Sequence, residues 1–257
     1  MFKAMLVACV LASVPSDAIQ DGEKWLKQAE AKLYRWPTPP VVVRFEVDTD
    51  VLAPALAQMK TDLAAQPDTE GTKLVAALEH VAIHGRIDTG TGKVETEIDL
   101  MYVATDARSQ ALVDQIKTRL SLTISGCFQG LPLHDPRFLR GGSKVVGCEE
   151  SKASIRVSIE GAQSGNSMSV ELARATALPT KMESQKFTGS YKFREVRPGL
   201  FAPERLDIVP REGAASHAEY TYQEQGGLLF PQRVRVQSGQ QVAKLTFRGL
   251  KIEPRAR

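Results

Sequence analysis

The chain has 257 residues, 42% of them apolar and 25% charged, with 33 basic residues against 30 acidic ones and a formal net charge of +3. That is apolar material enough for one large domain or two small ones. The charges are interspersed without a basic run, so the electrostatic footprint of a nucleic-acid binder is missing.

Residues 1–18 read as a secretory signal peptide. Lys3 supplies the positive start, residues 4–14 an apolar stretch of about 11 residues, and Ser16-Asp17-Ala18 the small-x-small pattern that a signal peptidase cuts. Cleavage after Ala18 would make Ile19 the first residue of a periplasmic or secreted protein. No stretch reaches the roughly 20 apolar residues of a membrane-spanning helix. Leu6-Val7-Ala8-Cys9 has the look of a lipobox, but too few residues precede Cys9 for a charged segment plus an apolar core.

Residues 19–150 form a helix-rich α+β part. Trp25, Ala29, Leu33 and Trp36 make one apolar helical stripe that ends at Pro37, and Leu52, Leu56, Met59 and Leu63 make a second. A third runs over Leu74, Leu78 and Val81, a fourth over Leu112, Val113, Ile116 and Leu120. Val41, Val43, Phe45 and Val47 alternate as a strand, as do Val94, Ile98, Leu100 and Tyr102. Thr89-Gly90-Thr91-Gly92 reads as the hairpin turn joining residues 83–88 to the latter strand. The helices and strands are not regularly interleaved, which argues against a doubly wound parallel sheet.

Cys127 and Cys148 remain after processing, and an even count in an oxidising compartment predicts a disulfide. Closing a loop of about 20 residues would stabilise the fold by roughly 3 kcal/mol in the chain-entropy model. The alternative is two buried free thiols. Gly126, Gly130, Pro132, Pro136, Gly141, Gly142 and Gly147 predict little regular structure in that loop.

Residues 151–257 alternate with period two and read as an antiparallel meander, either separate from residues 19–150 or continuous with them. Ile155, Val157 and Ile159 lead; Leu206 with Ile208, Val234 with Val236, and Ala243 with Leu245 follow, with Lys and Arg at intervening positions. At Gly249 the phase slips, which predicts a bulge in the last strand. Leu178-Pro179-Thr180-Lys181, Ala202-Pro203-Glu204-Arg205 and Phe230-Pro231-Gln232-Arg233 form a weak repeat. Proline fits the first residue of a strand, so the repeat predicts three strands that begin alike and run side by side. The fold class is thus α+β, a curved antiparallel sheet, half-barrel-like, packed by amphipathic helices.

Phe187, Tyr191, Phe193, Tyr220, Tyr222 and Phe247 are expected on the inner face of that sheet. Together they carry around a thousand Å² of apolar surface, more than a monomer leaves bare, so helices cover them or a ligand does. Incomplete cover would leave an apolar cavity for an acyl chain or hydrophobic peptide. The signal peptide, the amphipathic first helix and the strands that open with an apolar-Pro-x-basic step resemble the periplasmic lipoprotein-carrier family (LolA and LolB), over residues 155–252 and the helix at Trp25. That resemblance implies an unclosed barrel capped by helices, binding the lipid moieties of lipoproteins without catalysis or cofactor. Residues 40–150 depart from the family pattern.

Enzyme signals are poor. His80 and His84 lie four apart beside Glu79, on a helix by this reading, but a third metal ligand would come from afar, from His134 or Asp135. Glu95, Glu97 and Asp99 alternate along one strand face, as a solvated face does. Ser125-Gly126-Cys127 lacks the Gly-x-Ser-x-Gly elbow, and Gly141-Gly142-Ser143-Lys144 lacks the spacing of a phosphate loop. The leading expectation is an exported, non-catalytic carrier or binder of an apolar ligand, a lipid or acyl group, with no cofactor and no metal. The others are an envelope structural or protein-interaction domain with a solid core, recruiting a protein partner, and a metal-dependent hydrolase using His80 and His84.

Overall fold

The computed structural model describes residues 16–129, 131–133, 139, 143–161 and 167–255. The apolar leader stretch with Cys9, and also His134, Asp135, Gly141 and Gly142, lie outside the described residues. The helices are α1 (Ser16–Lys32), α2 (Ala53–Ala65), α3 (Thr69–Glu79) and α4 (Ala107–Gln129). The strands are β1 (Val41–Thr49), β2 (Ala82–Asp88), β3 (Val94–Asp99), β4 (Lys144–Glu150), β5 (Ser154–Glu160) and β6 (Ser167–Ala173). They continue with β7 (Pro179–Ser184), β8 (Phe187–Arg197), β9 (Leu200–Pro210), β10 (Ser216–Gln225), β11 (Leu228–Ser238) and β12 (Gln241–Pro254).

All twelve strands form one curved, unclosed sheet in the order β3-β2-β1-β12-β11-β10-β9-β8-β7-β6-β5-β4. Every pairing is antiparallel, and the fold is α+β as expected. β1 pairs with β12 and β4 with β5, so the sheet draws on both the helix-rich part and the meander. α1 begins at Ser16, so cleavage after Ala18 would fall within its first turn.

Local chemistry accounts for the helix starts. Asp68 caps α3 by accepting from the amides of Glu70 at 3.1 Å and Gly71 at 3.0 Å. Asp106 does the same for α4, accepting from the Ser109 amide at 2.8 Å. Two expectations need correction. α1 ends at Lys32, so Trp36 lies beyond it, and α4 runs on to Gln129, taking Gly126 and Cys127 into the helix rather than into a loop.

The proline repeat also reads differently. Leu172 pairs with Pro179 and Glu171 with Lys181, which leaves Thr180 without an opposite residue. Glu204 is left over in the same way beside Pro203, and Gln232 beside Pro231. Each proline therefore marks a bulge, and only Pro179 opens a strand. The strands concerned, β7, β9 and β11, alternate in the sheet instead of lying side by side. Proline has no N–H for the ladder, so pairing lapses there and the strand bends. A fourth bulge sits at Gly249, where the phase slip placed it: φ is +61°, and Gly249 and Leu250 together oppose Phe45. These bends curl the sheet around its helix-bearing face.

That face carries two separate cores. In the first, α4 packs over β1 and β10–β12, and the rings of Phe45, Phe128, Phe230 and Phe247 lie 5.4 to 6.0 Å apart between centroids. In the second, Leu26, Ala29 and Leu33 meet Ile155, Val157, Val170 and Leu172. Cys127 belongs to the first core and Cys148 packs on the second, and both are free thiols. The expected Cys127–Cys148 disulfide is not formed, because helix α4 and strand β4 deliver the two residues to different cores. The segment after α1 straps the cores together. The Tyr34 amide donates to Phe201 O at 2.8 Å, and the Trp36 indole N–H donates to Leu229 O at 2.9 Å.

Candidate functional site

Between α4 and the middle of the sheet lies a cavity of about 630 Å³. Its floor is built from two rows of residues that face the same way across neighbouring strands. Met182, Gly189, Ile208 and Ser216 form one row, each paired with the next. Tyr191, Leu206, Ala218 and Val236 form the other. Both rows line the cavity, and Gly189, Ser216 and Ala218 are where the floor is low. Small side chains at mid-sheet leave a volume that larger ones would fill.

The roof is the last third of α4. Leu122, Thr123, Gly126, Cys127 and Gln129 line it. A Cβ added to Gly126 would meet no atom within 4 Å, so the helix offers a bare stretch of backbone above the space. Leu122 is 68% exposed, an apolar side chain on the rim.

The expected aromatic face divides. Phe187, Tyr191 and Tyr220 line the cavity. Phe193 stacks on Tyr191 at 5.8 Å between centroids but is not part of the wall. Tyr222 donates its hydroxyl to Pro203 O at 2.7 Å, under the Arg194 guanidinium. Phe247 is 1% exposed and lies wholly within the first core, so it is packing rather than site. Sequence reasoning missed the roof. The stripe read over Leu112 to Leu120 continues through Ile124 and Cys127, and extending it would have found the wall.

The cavity is electrically quiet. Burial pushes the Tyr191 hydroxyl and the Cys127 thiol each up to about 12, and it raises Tyr220 as well, so all three stay neutral at ordinary pH. The Cys127 thiol donates to the Thr123 carbonyl at 3.3 Å. His217 borders the space, but its ring nitrogens are engaged by Asp207 at 2.6 Å and Glu219 at 3.1 Å. Among the described residues, no Lys, Arg, Asp or Glu is part of the wall. A charged group placed inside would lose its hydration with nothing in return, so the space suits an uncharged, apolar occupant.

A second hollow of about 410 Å³ adjoins it and shares Thr123 and Val236 as common wall. This groove is lined in part by Val51, Pro54, Gln241 and Val242, and among the described residues it contains one cation, Arg119. The Arg119 guanidinium donates to the Gln241 side-chain oxygen at 3.2 Å. Among the described residues no carboxylate lies within ion-pair distance of it.

The other candidates fall elsewhere. His80 caps the end of α3 and His84 lies in β2, so they are not a helical pair as the spacing had predicted. Glu79 pairs with Lys60, and Glu95 with Arg86 and Lys93. Ser125 lies within α4, so no nucleophile turn exists there.

Compared with known proteins, the chain matches no family model and no curated protein. Among solved structures it is similar to the crystal structure of a LolA superfamily protein from Nitrosomonas europaea, at 10% identity and a TM-score of 0.29, over 91% of this chain and 94% of that one.

Proposed function

We propose that the chain is a non-catalytic carrier or binder of an apolar group, a lipid or acyl chain, working in the cell envelope. The observation that carries this reading is the cavity of about 630 Å³ whose described wall holds no Lys, Arg, Asp or Glu, floored by Gly189, Ser216 and Ala218 and roofed by Gly126. An ordinary core would be filled at those positions. The envelope location rests on the leader-like residues 1–18, and no helix among the described residues is long and apolar enough to cross a membrane. The Tyr191 hydroxyl and the Cys127 thiol stay protonated near neutral pH and so supply neither a general base nor a thiolate, which supports binding over chemistry.

Titration with an environment-sensitive apolar fluorophore tests it. The unaltered chain is expected to give a saturable gain in fluorescence, and Gly126→Leu, which extends a side chain into open space, is expected to abolish it with the fold intact by circular dichroism. No gain with the unaltered chain, or equal gain with Gly126→Leu, would overturn the proposal.

A further inference from the structure

We infer that the ligand is an anionic amphiphile whose tail fills the cavity and whose carboxylate or phosphate sits on Arg119 in the adjoining groove. This rests on the apolar-carrier reading above and adds the chemistry of the head group. Arg119, Thr123 and Cys127 follow one another at four-residue intervals, so they lie along one stripe of α4. Cys127 and Thr123 line the cavity, Thr123 is common to cavity and groove, and Arg119 lines the groove. From Cys127 to Arg119 the helix rises about 12 Å, so one stripe leads from the cavity to the Arg119 guanidinium.

The polarity changes in the same direction. Among the described residues no Lys, Arg, Asp or Glu lines the cavity, whereas the groove is lined by Arg119 together with Ser238 and Gln241. The guanidinium uses one donor on a neutral amide oxygen and keeps further donors in a fork that matches a carboxylate or phosphate. An exposed arginine tied to a carboxylate would offer no such site; Arg44, bound to Glu253 on β12, is an example on the same sheet.

The test uses three probes with one shared pyrene-labelled alkyl chain: a carboxylic acid, its methyl ester and an alkyl phosphate. The unaltered protein is expected to bind the acid or the phosphate about tenfold tighter than the ester, and Arg119→Gln to bring the charged probes to the affinity of the ester while leaving the ester unchanged. The ratio of acid to phosphate affinity identifies the head group. Equal binding of all three probes, or a preference that survives Arg119→Gln, would overturn the head-group assignment while leaving the apolar carrier standing. Binding of none would overturn both.

Discussion

The Leu229 amide donates to the Tyr34 hydroxyl at 2.8 Å across 195 residues of sequence, while the Leu229 carbonyl accepts from the Trp36 indole at 2.9 Å. One residue of β11 thus has both backbone groups held by the strap that follows α1. Tyr34 is 2% exposed, so water does not replace what is lost there. Tyr34→Phe leaves the Leu229 N–H buried without an acceptor and is expected to destabilise the fold by about 1–3 kcal/mol. Urea unfolding followed by circular dichroism measures this, and a loss within error of zero would mean the strap does not hold β11.

The aromatic residues are expected to separate into packing and site on mutation. Phe247→Ala removes a ring from a four-ring cluster and is expected to cost about 3–5 kcal/mol. Phe187 is half-buried at the cavity wall, so Phe187→Ala is expected to cost no more than about 1.5 kcal/mol while weakening uptake of an apolar fluorophore several-fold. Parallel unfolding and binding titrations check the pair.

What the sequence made legible and what it hid follow from how far each signal reaches. Helical stripes at Leu74 and Leu78, or at Val113 and Leu120, are local patterns, and α3 and α4 carry them, although α3 stops at Glu79, short of Val81. The slip at Gly249 is local too. The cysteine pair is not: a loop of suitable length says nothing about which core receives each end, and Cys127 and Cys148 enter different ones. The three prolines gave a correct signal with the wrong meaning, since a missing N–H can start a strand or interrupt one, and only the partner strand decides. The shape of the cavity depends on Gly126 of α4 and on the small residues Gly189, Ser216 and Ala218, and the latter three come together only once the strands are in register.

The thiols are expected to react unequally. Cys127 is buried and its thiol is pushed up to about 12 by burial, so it resists alkylation in the native state. Cys148 is partly exposed; burial first, then the nearby Glu150, Asp21 and Glu149 charges, raise its pKa, so it alkylates slowly at neutral pH and faster as pH rises. Peptide mapping after iodoacetamide treatment should find Cys148 modified and Cys127 intact until denaturant is added. A Cys127–Cys148 crosslinked peptide from untreated protein would contradict the separation of the two cores.

Acid should loosen the outer face of β9–β11. Asp207 is held below its ordinary value of 3.8 by hydrogen bonds from Arg205 and then His217, and Glu219 below 4.5 chiefly by its hydrogen bond to His217. For each, the unfolded chain takes up protons first as pH falls, so the stabilisation is complete above the ordinary value and is lost as pH drops through the depressed one. Both side chains are partly exposed, at 34% and 46%, and solvent screening limits their joint contribution to about 1 kcal/mol. Asp207→Asn with Glu219→Gln should flatten the stability profile between about pH 5 and pH 2, as read by unfolding at each pH.

Native mass spectrometry of the purified chain equilibrated with a lipid extract tests the cavity most directly. The expected spectrum shows an adduct of lipid mass at one per chain for the unaltered protein and none for Gly126→Leu, which adds a branched side chain to a residue of the cavity wall. Absence of any adduct on the unaltered chain, or the same adduct on both, would contradict a ligand-binding cavity beneath α4.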